Sequence, residues 1–192
     1  RPFVPPDHWS LDPIDGGGRL ISEGEHFVDL CHLLIDRPPL TVHAQALGKP
    51  PDDLRTLCNY AMTIHYDGAV ANIVFNESGA VGYPQERITA LAKGKVVALD
   101  DFAHLAVHGK RVRKIGVALG ASMGHKEEIE QFVAAIRGDA NTLLQWEQAS
   151  LATLCVFAAQ ESIRTGGMVD LAEFRERLMM TPDASESESP ST

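Results

Sequence analysis

The chain has 192 residues, 44% of them hydrophobic and 22% charged. That composition suits a globular protein with one good-sized core, and the length falls short of two full domains, which together need roughly twice as much. The net charge of -9, from 26 acids against 17 bases, disfavours nucleic acid and anionic membrane as partners, because both select positive surface. No apolar run approaches the ~20 residues of a membrane span. The chain opens at Arg1 in Pro-rich text (Arg1-Pro-Phe-Val-Pro-Pro6), so it is expected to be part of something longer. Cys31, Cys58 and Cys155 are scattered and odd in number. They read as reduced, partly buried thiols of a cytoplasmic protein and not as a disulfide framework or thiolate zinc site.

Residues 1–18 are Pro- and Gly-rich and end in Asp15-Gly-Gly-Gly18, a strong breaker, so they are taken as a connecting segment. From Ser22 the text turns helical. Phe27, Leu30, Leu33 and Leu34 recur at helical spacing, Ser22 or Glu23 opens the helix, and Arg37-Pro38-Pro39 ends it. Strands are then predicted at 40–47, 58–66, 70–75, 87–91, 95–99, 104–108 and 112–117. Turns at Asp67-Gly68, Lys93-Gly94 and Gly109 separate them. Helices return at 126–137, where Ile129, Phe132, Val133 and Ile136 form a stripe, and at about 143–164, where Leu151, Leu154, Cys155, Ala158 and Ser162 do. Leu171 to Met179 is expected to form a last turn or two. Residues 181–192 are polar low complexity and are expected to be disordered.

Helix, a run of strands, then helices is an α+β layout. It predicts a single open-faced, mostly antiparallel sheet with helices packed on one face, over residues 19–180. The second face, rich in Ala, Thr and His, is left for solvent or a partner.

The densest polar constellation is Gly16–Asp29. Glu23, His26 and Asp29 are spaced three apart, which places them on one side of a helix. An imidazole beside a carboxylate is the usual build of a general base. The bland alternative makes Glu23 a helix cap and His26 a satisfied histidine at its start. A metal centre is not expected: there is no HExxH and no His-x-His. His43 and His65 read as sheet-surface residues. His104 and His108 lie four apart in strand text, on one sheet face, and His125 reads as a helix entry. The basic run Lys110–Lys114 reads as a solubilising edge strand, with a phosphate patch as the sharper alternative. His8-Trp9 could stack on a sugar ring or simply pack. Gly16-Gly-Gly18 follows no strand, so it is not a dinucleotide fingerprint, and no Walker loop is present.

Four segments carry a resemblance. They are Pro5-Pro-Asp-His-Trp9; Gly16–Leu30; Pro84-Gln-Glu-Arg-Ile88 with Val97–Phe102; and Gly124-His-Lys-Glu-Glu-Ile129. In this order they resemble the C-terminal domain of the Gfo/Idh/MocA family of NAD(P)-dependent oxidoreductases, over nearly all of residues 3–167. The closest likeness is to the subgroup of two-part polypeptides with a zinc-type alcohol dehydrogenase-like region. The resemblance implies an α+β substrate domain, a preceding Rossmann domain that binds NAD or NADP and carries the catalytic lysine, and a sugar, cyclitol or related polyol as substrate. It also implies a homo-oligomer paired through sheet faces. The family's Asp-x-x-x-His motif places its His on His26, as a catalytic or substrate-contacting residue, and its Asp on Ser22, a departure. Glu23 is the nearest carboxylate. The substrate-binding residues expected alongside are Ser22, Glu23, Asp29, Arg19, Trp9 and His8. By this account the chain alone is inactive. The competing expectation is a non-catalytic binding or assembly module with the same fold.

Overall fold

The computed structural model describes residues 8–9, 12, 14–48, 57–77, 83–109, 112–116, 124–139 and 146–180. It divides into two compact units, one of residues 4–77 and 144–192 and a smaller one of residues 1–3 and 78–143.

In the larger unit, Gly17 and Gly18 take φ of 66° and 84°, a region that side chains rarely enter. Helix α1 (Arg19–Ile35) begins as soon as they end. It starts three residues before the expected Ser22, because nothing beyond the glycines resists helix. It stops where Asp36 turns left-handed at φ 54° and donates its N–H to the His32 carbonyl. The two prolines that follow cannot continue it.

Strands β1 (Pro39–Ala46), β2 (Asn59–Tyr66) and β3 (Ala69–Asn76) follow. The two-residue Asp67-Gly68 turn sets the β2–β3 register from Tyr66 opposite Ala69 to Asn59 opposite Asn76. Helix α3 (Trp146–Thr165) covers one face with α1. Ala152, Ala158 and Ala159 are fully buried, and such small side chains let helix and sheet backbones come close. Leu154, Cys155 and Ser162 of the expected stripe are buried with them, while Leu151 packs at the margin. The expected helix start at 143–145 lies outside the described residues.

The larger unit closes with two elements. Strand β8 (Val169–Asp170) pairs with β1 and gives the order β3-β2-β1-β8. Two residues are too few for periodicity to reveal. Helix α4 (Leu171–Met180) has ten residues, more than the turn or two expected. Asp170 caps it, its carboxylate accepting the N–H groups of Ala172 and Glu173 at 2.9 and 3.1 Å. The core runs along α1, β2 and α3, through Leu20, Val28, Tyr60, Met62, Ile64, Cys155 and Val156.

The smaller unit holds a second antiparallel ladder, β4 (Arg87–Ala92), β5 (Lys95–Asp100), β6 (His104–His108) and β7 (Arg113–Gly116), in that order, and helix α2 (His125–Ile136). Outside β7, none of its described residues is buried. Ile129, Phe132 and Ile136 of the expected α2 stripe are 53–71% exposed. Half of the basic run forms β7, an edge strand as expected, while Lys110 and Arg111 lie outside the described residues. His104 and His108 are exposed on one face of β6, and His125 opens α2.

The α+β, open, antiparallel architecture is found. The single sheet becomes two hydrogen-bonded ladders. Ten residues, 77–86, separate β3 from β4, where two-residue turns join β2 to β3 and β4 to β5, so no tight hairpin forces that pairing. The tail 181–192 lies outside the described residues.

Candidate functional site

The residues singled out between Gly16 and Asp29 sit on α1. The helix buries Leu20, Gly24, Val28 and His32 against the sheet. Residues three and four apart share a face, so His26 and Asp29 fall on the opposite, exposed side. Among the described residues neither makes a hydrogen bond to the other, nor does His26 to Glu23. The expected dyad is therefore a matter of shared face and not of a formed bond. Asp29 instead acts on His32, whose pKa it nudges upward against the larger lowering by burial.

Glu23 is committed elsewhere. Its carboxylate accepts from Arg19 Nη1 at 2.8 Å, one helical turn back, and Arg19 Nε donates to Glu77, just past the end of β3. The Arg19 side chain is only 12% exposed and lies over the Phe75 ring, 5.8 Å from its centroid. Phe75 in turn stacks on Tyr60 at 5.2 Å and 11°. One guanidinium thus serves two carboxylates in a half-buried corner, an arrangement that leaves net charge -1. Burial and the Glu77 carboxylate, with a hydrogen bond to it, push the neighbouring Cys58 thiol upward, and Arg19 offsets part of this. Burial and then Glu23 raise the Tyr60 hydroxyl.

Close approach explains Gly24. A Cβ there would stand 3.0 Å from Tyr60 Oη and 3.3 Å from Leu20 Cδ1. The hydroxyls of Tyr60 and Ser22 are buried, and among the described residues neither has a hydrogen-bond partner. His8 and Trp9 stack on one another, their rings 5.6 Å apart and tilted by 35°, with Trp9 61% exposed. Of the seven expected site residues, the structure joins Arg19 with Glu23, and His8 with Trp9. Ser22, His26 and Asp29 stay apart from those contacts.

Glu77, Cys58, Phe75 and Tyr60 escaped the sequence reading. The signal was in the hairpin. With Asp67-Gly68 as a two-residue turn, paired residue numbers add to a constant, which sets Tyr60 opposite Phe75 and carries Cys58 toward Glu77.

A further hollow of about 260 Å³ lies beside α3 and α4, lined by Glu161, Thr165, Met168, Asp170, Glu173, Phe174 and Arg177. Glu161 is held by Arg164 at 2.8 Å and by Arg177 at 3.3 Å, and these bonds keep its carboxyl below its ordinary range. The charges there are engaged in tying α3 to α4.

Among the described residues no group of three His, Cys, Asp or Glu is placed to hold a metal ion, and no helix is long and apolar enough to cross a membrane. A dinucleotide does not fit the glycine entry. Gly16–Gly18 leave a turn and not a strand, and Arg19 at the start of α1 is bound to Glu23 and Glu77.

The family described as oxidoreductase family, C-terminal alpha/beta domain (Gfo/Idh/MocA) matches residues 1–171. Among curated proteins none matches. Solved structures share the fold. Aldose-aldose oxidoreductase from Caulobacter crescentus, complexed with glycerol, is 15% identical with a TM-score of 0.73 over 88% of this chain and 52% of its own. Levoglucosan dehydrogenase, in complex with NADH and levoglucosan, is 15% identical, with a TM-score of 0.73 over 89% and 55%. UDP-N-acetylglucosamine 3-dehydrogenase from Acidithiobacillus ferrooxidans is 20% identical, with a TM-score of 0.68 over 85% and 50%. The chain spans about half the length of these proteins.

Proposed function

The chain belongs to the Gfo/Idh/MocA oxidoreductase family as its C-terminal alpha/beta domain, and from that premise we propose that it is the substrate-binding and oligomerisation part of an NAD(P)-dependent dehydrogenase acting on a sugar, cyclitol or related polyol. The cofactor is held by a preceding Rossmann domain, in a longer polypeptide that includes the alcohol dehydrogenase-like region of the resembled subgroup, and the isolated chain is inactive. The compartment is the cytoplasm.

The observation that carries this reading is the position of His26. It follows a glycine entry by two helical turns and stands on the exposed face of α1, away from the core. An exposed imidazole exchanges a proton with a substrate hydroxyl without first being dug out of a core. The nicotinamide supplies hydride transfer when bound, and His26 takes or returns the hydroxyl proton. Asp29, one turn along, and Glu23, one turn back, flank His26 on the same side of α1 without a direct bond. Arg19 is a positioning residue for Glu23, since its guanidinium is used up by two carboxylates. Ser22, Trp9 and His8 line the substrate side.

The competing reading, a non-catalytic assembly module, is favoured by two facts: Ser22 stands where the family places an acid, and Glu23 is tied to Arg19. One experiment separates them. In the complete enzyme, His26→Ala is expected to lower turnover by about 10²–10⁴-fold with an unchanged melting temperature. Full turnover in that variant removes His26 from the mechanism.

A further inference from the structure

We propose that Glu77 is a positioning residue of the site: through Arg19 it holds the Glu23 carboxylate as a ready-made acceptor for a substrate hydroxyl. This rests on the reading that α1 carries the substrate side of a polyol dehydrogenase; the role of Glu77, on another element, goes beyond it.

The linkage starts in the hairpin. Asn59 and Asn76 face each other at the open end of the β2–β3 pair. One residue later, as the chain leaves β3, the Glu77 backbone N–H donates to the Asn59 side-chain oxygen at 2.9 Å, which fixes the root of Glu77. The Glu77 carboxylate accepts from Arg19 Nε and from the Cys58 thiol. Arg19 Nη1 then donates to Glu23 Oε1 at 2.8 Å. A guanidinium is a planar fork, so bonds on two of its edges set the direction of the plane. Phe75 beneath it, 5.8 Å from ring centroid to Cζ, sets its height.

Stability alone does not account for Glu77. Arg19 and Glu23, four apart on one helix, make a complete ion pair by themselves. A second carboxylate on the same cation brings two like charges together, which is unfavourable. What Glu77 adds is direction. Without it Arg19 Nε is free to turn, and Glu23 follows. A side chain that is ordered only when the ligand arrives lowers affinity, and one held beforehand does not.

Exposure and charge set what Glu23 receives. The Arg19 side chain is 12% exposed, Glu77 23% and Glu23 36%, so the anchor is buried deeper than the group it holds. Glu23 Oε2 makes no hydrogen bond among the described residues. The corner carries one negative charge more than Arg19 cancels, which repels a phosphate or carboxylate and suits a hydroxyl donor. Glu23 lies one turn before His26 on the same side of α1. It therefore takes a hydroxyl other than the one that His26 serves, and its contact is the same before and during the reaction.

Steady-state kinetics of the complete enzyme test this, with NAD+ or NADP+ and with myo-inositol, D-glucose and glycerol as probes. The probe turned over best is carried through the variants, and circular dichroism certifies folding. Glu77→Ala is expected to raise KM about 2–12-fold, the loss that goes with ordering one long side chain. Its kcat is expected to stay within about twofold, because binding shared by ground and transition states leaves kcat alone. Glu77→Gln keeps an acceptor oxygen for Arg19 Nε and is expected to return KM to within about twofold of wild type. Glu23→Ala removes the acceptor itself and is expected to raise KM at least as much as Glu77→Ala does. Adding Glu77→Ala to Glu23→Ala is expected to change KM no further, since nothing is left to position. If Glu77→Ala fails to fold, Arg19→Lys, whose ammonium lacks the fork, is expected to give the same rise in KM and the same indifference once Glu23 is gone. A KM unmoved by Glu77→Ala or by Glu23→Ala, a loss that falls equally on kcat, or effects of the two that simply add, overturns the positioning role and leaves the reading beneath standing. A wild type that turns over none of the three probes, or full turnover in His26→Ala, overturns that reading and this role with it.

Discussion

The two ends of helix α1 bury polar groups against the same strand in opposite ways. At the N-terminal end, Tyr60 of β2 lies beside charge: Arg19 between Glu23 and Glu77, with the cation over Phe75. At the C-terminal end, Tyr66 of β2 lies beside neutral, polarisable groups. His32, 5% exposed, meets its ring edge-on at 5.7 Å, and Cys155 Sγ stands 4.0 Å from His32 Nε2. Both tyrosine hydroxyls are buried with no hydrogen-bond partner among the described residues. The difference lies in what replaces water. The first end, near the proposed site, pairs its charges, one guanidinium between two carboxylates. The second, deep against α3, keeps its groups uncharged: burial lifts Cys31 to about 11 and Cys155 to about 12, and lowers His32.

The contrast breaks most sharply at Arg19. Arg19→Met keeps the aliphatic stem over Phe75 and leaves two carboxylates facing one another in a half-buried corner. A loss of about 2–3 kcal/mol in urea unfolding is expected, below the ~3–5 typical of a fully buried pair because Glu23 is a third exposed. Adding Glu77→Gln to that variant should restore much of it. If Arg19→Met costs under half a kcal/mol, the corner is a solvated surface network and the comparison fails.

Gly24 gives the next effect. Gly24→Ala forces a Cβ to 3.0 Å from Tyr60 Oη, and overpacking of this kind costs about 1–3 kcal/mol. Tyr60→Phe removes the obstructing oxygen. With no hydrogen bond to lose among the described residues, it should by itself be near neutral and should recover part of the Gly24→Ala loss. A double-mutant cycle in thermal or urea unfolding measures the coupling. Strict additivity would mean that the close contact lies elsewhere.

How much of this was legible follows from range. Helix α1, the antiparallel strands and the long α3 were readable because glycines, prolines and apolar spacing act over a few residues. That His26 and Asp29 share one side of α1 was readable for the same reason, since helical periodicity assigns faces. The partner of Glu23 was not. Spacing along one helix offered His26 at i+3, but Arg19 at i-4 won because Glu77, 54 residues further on, helps to hold the guanidinium. Only the hairpin register could have brought Glu77 near. Strand β8 and the division into two ladders were hidden for a related reason: both depend on pairing between distant segments, and two residues of β8 carry no period. His32 lies on the buried stripe four residues after Val28, a place its polar side chain does not announce.

The smallest expected effect tests the neutral end alone. Because burial holds the His32 pKa below its unfolded value, the unfolded chain binds the proton first as pH falls. Its contribution is nil well above the unfolded value of ~6.5 and turns destabilising as pH drops through and below it, until the folded imidazole also protonates. Urea midpoints measured from pH 8 to 5 should therefore fall, and His32→Phe should flatten that part of the slope while leaving the charged end untouched. Asp29 works against the shift from the exposed face, so Asp29→Asn should steepen the same slope slightly. A slope indifferent to His32→Phe would show that the imidazole is hydrated in the folded state, and the two ends of α1 would then differ in charge but not in the exclusion of water.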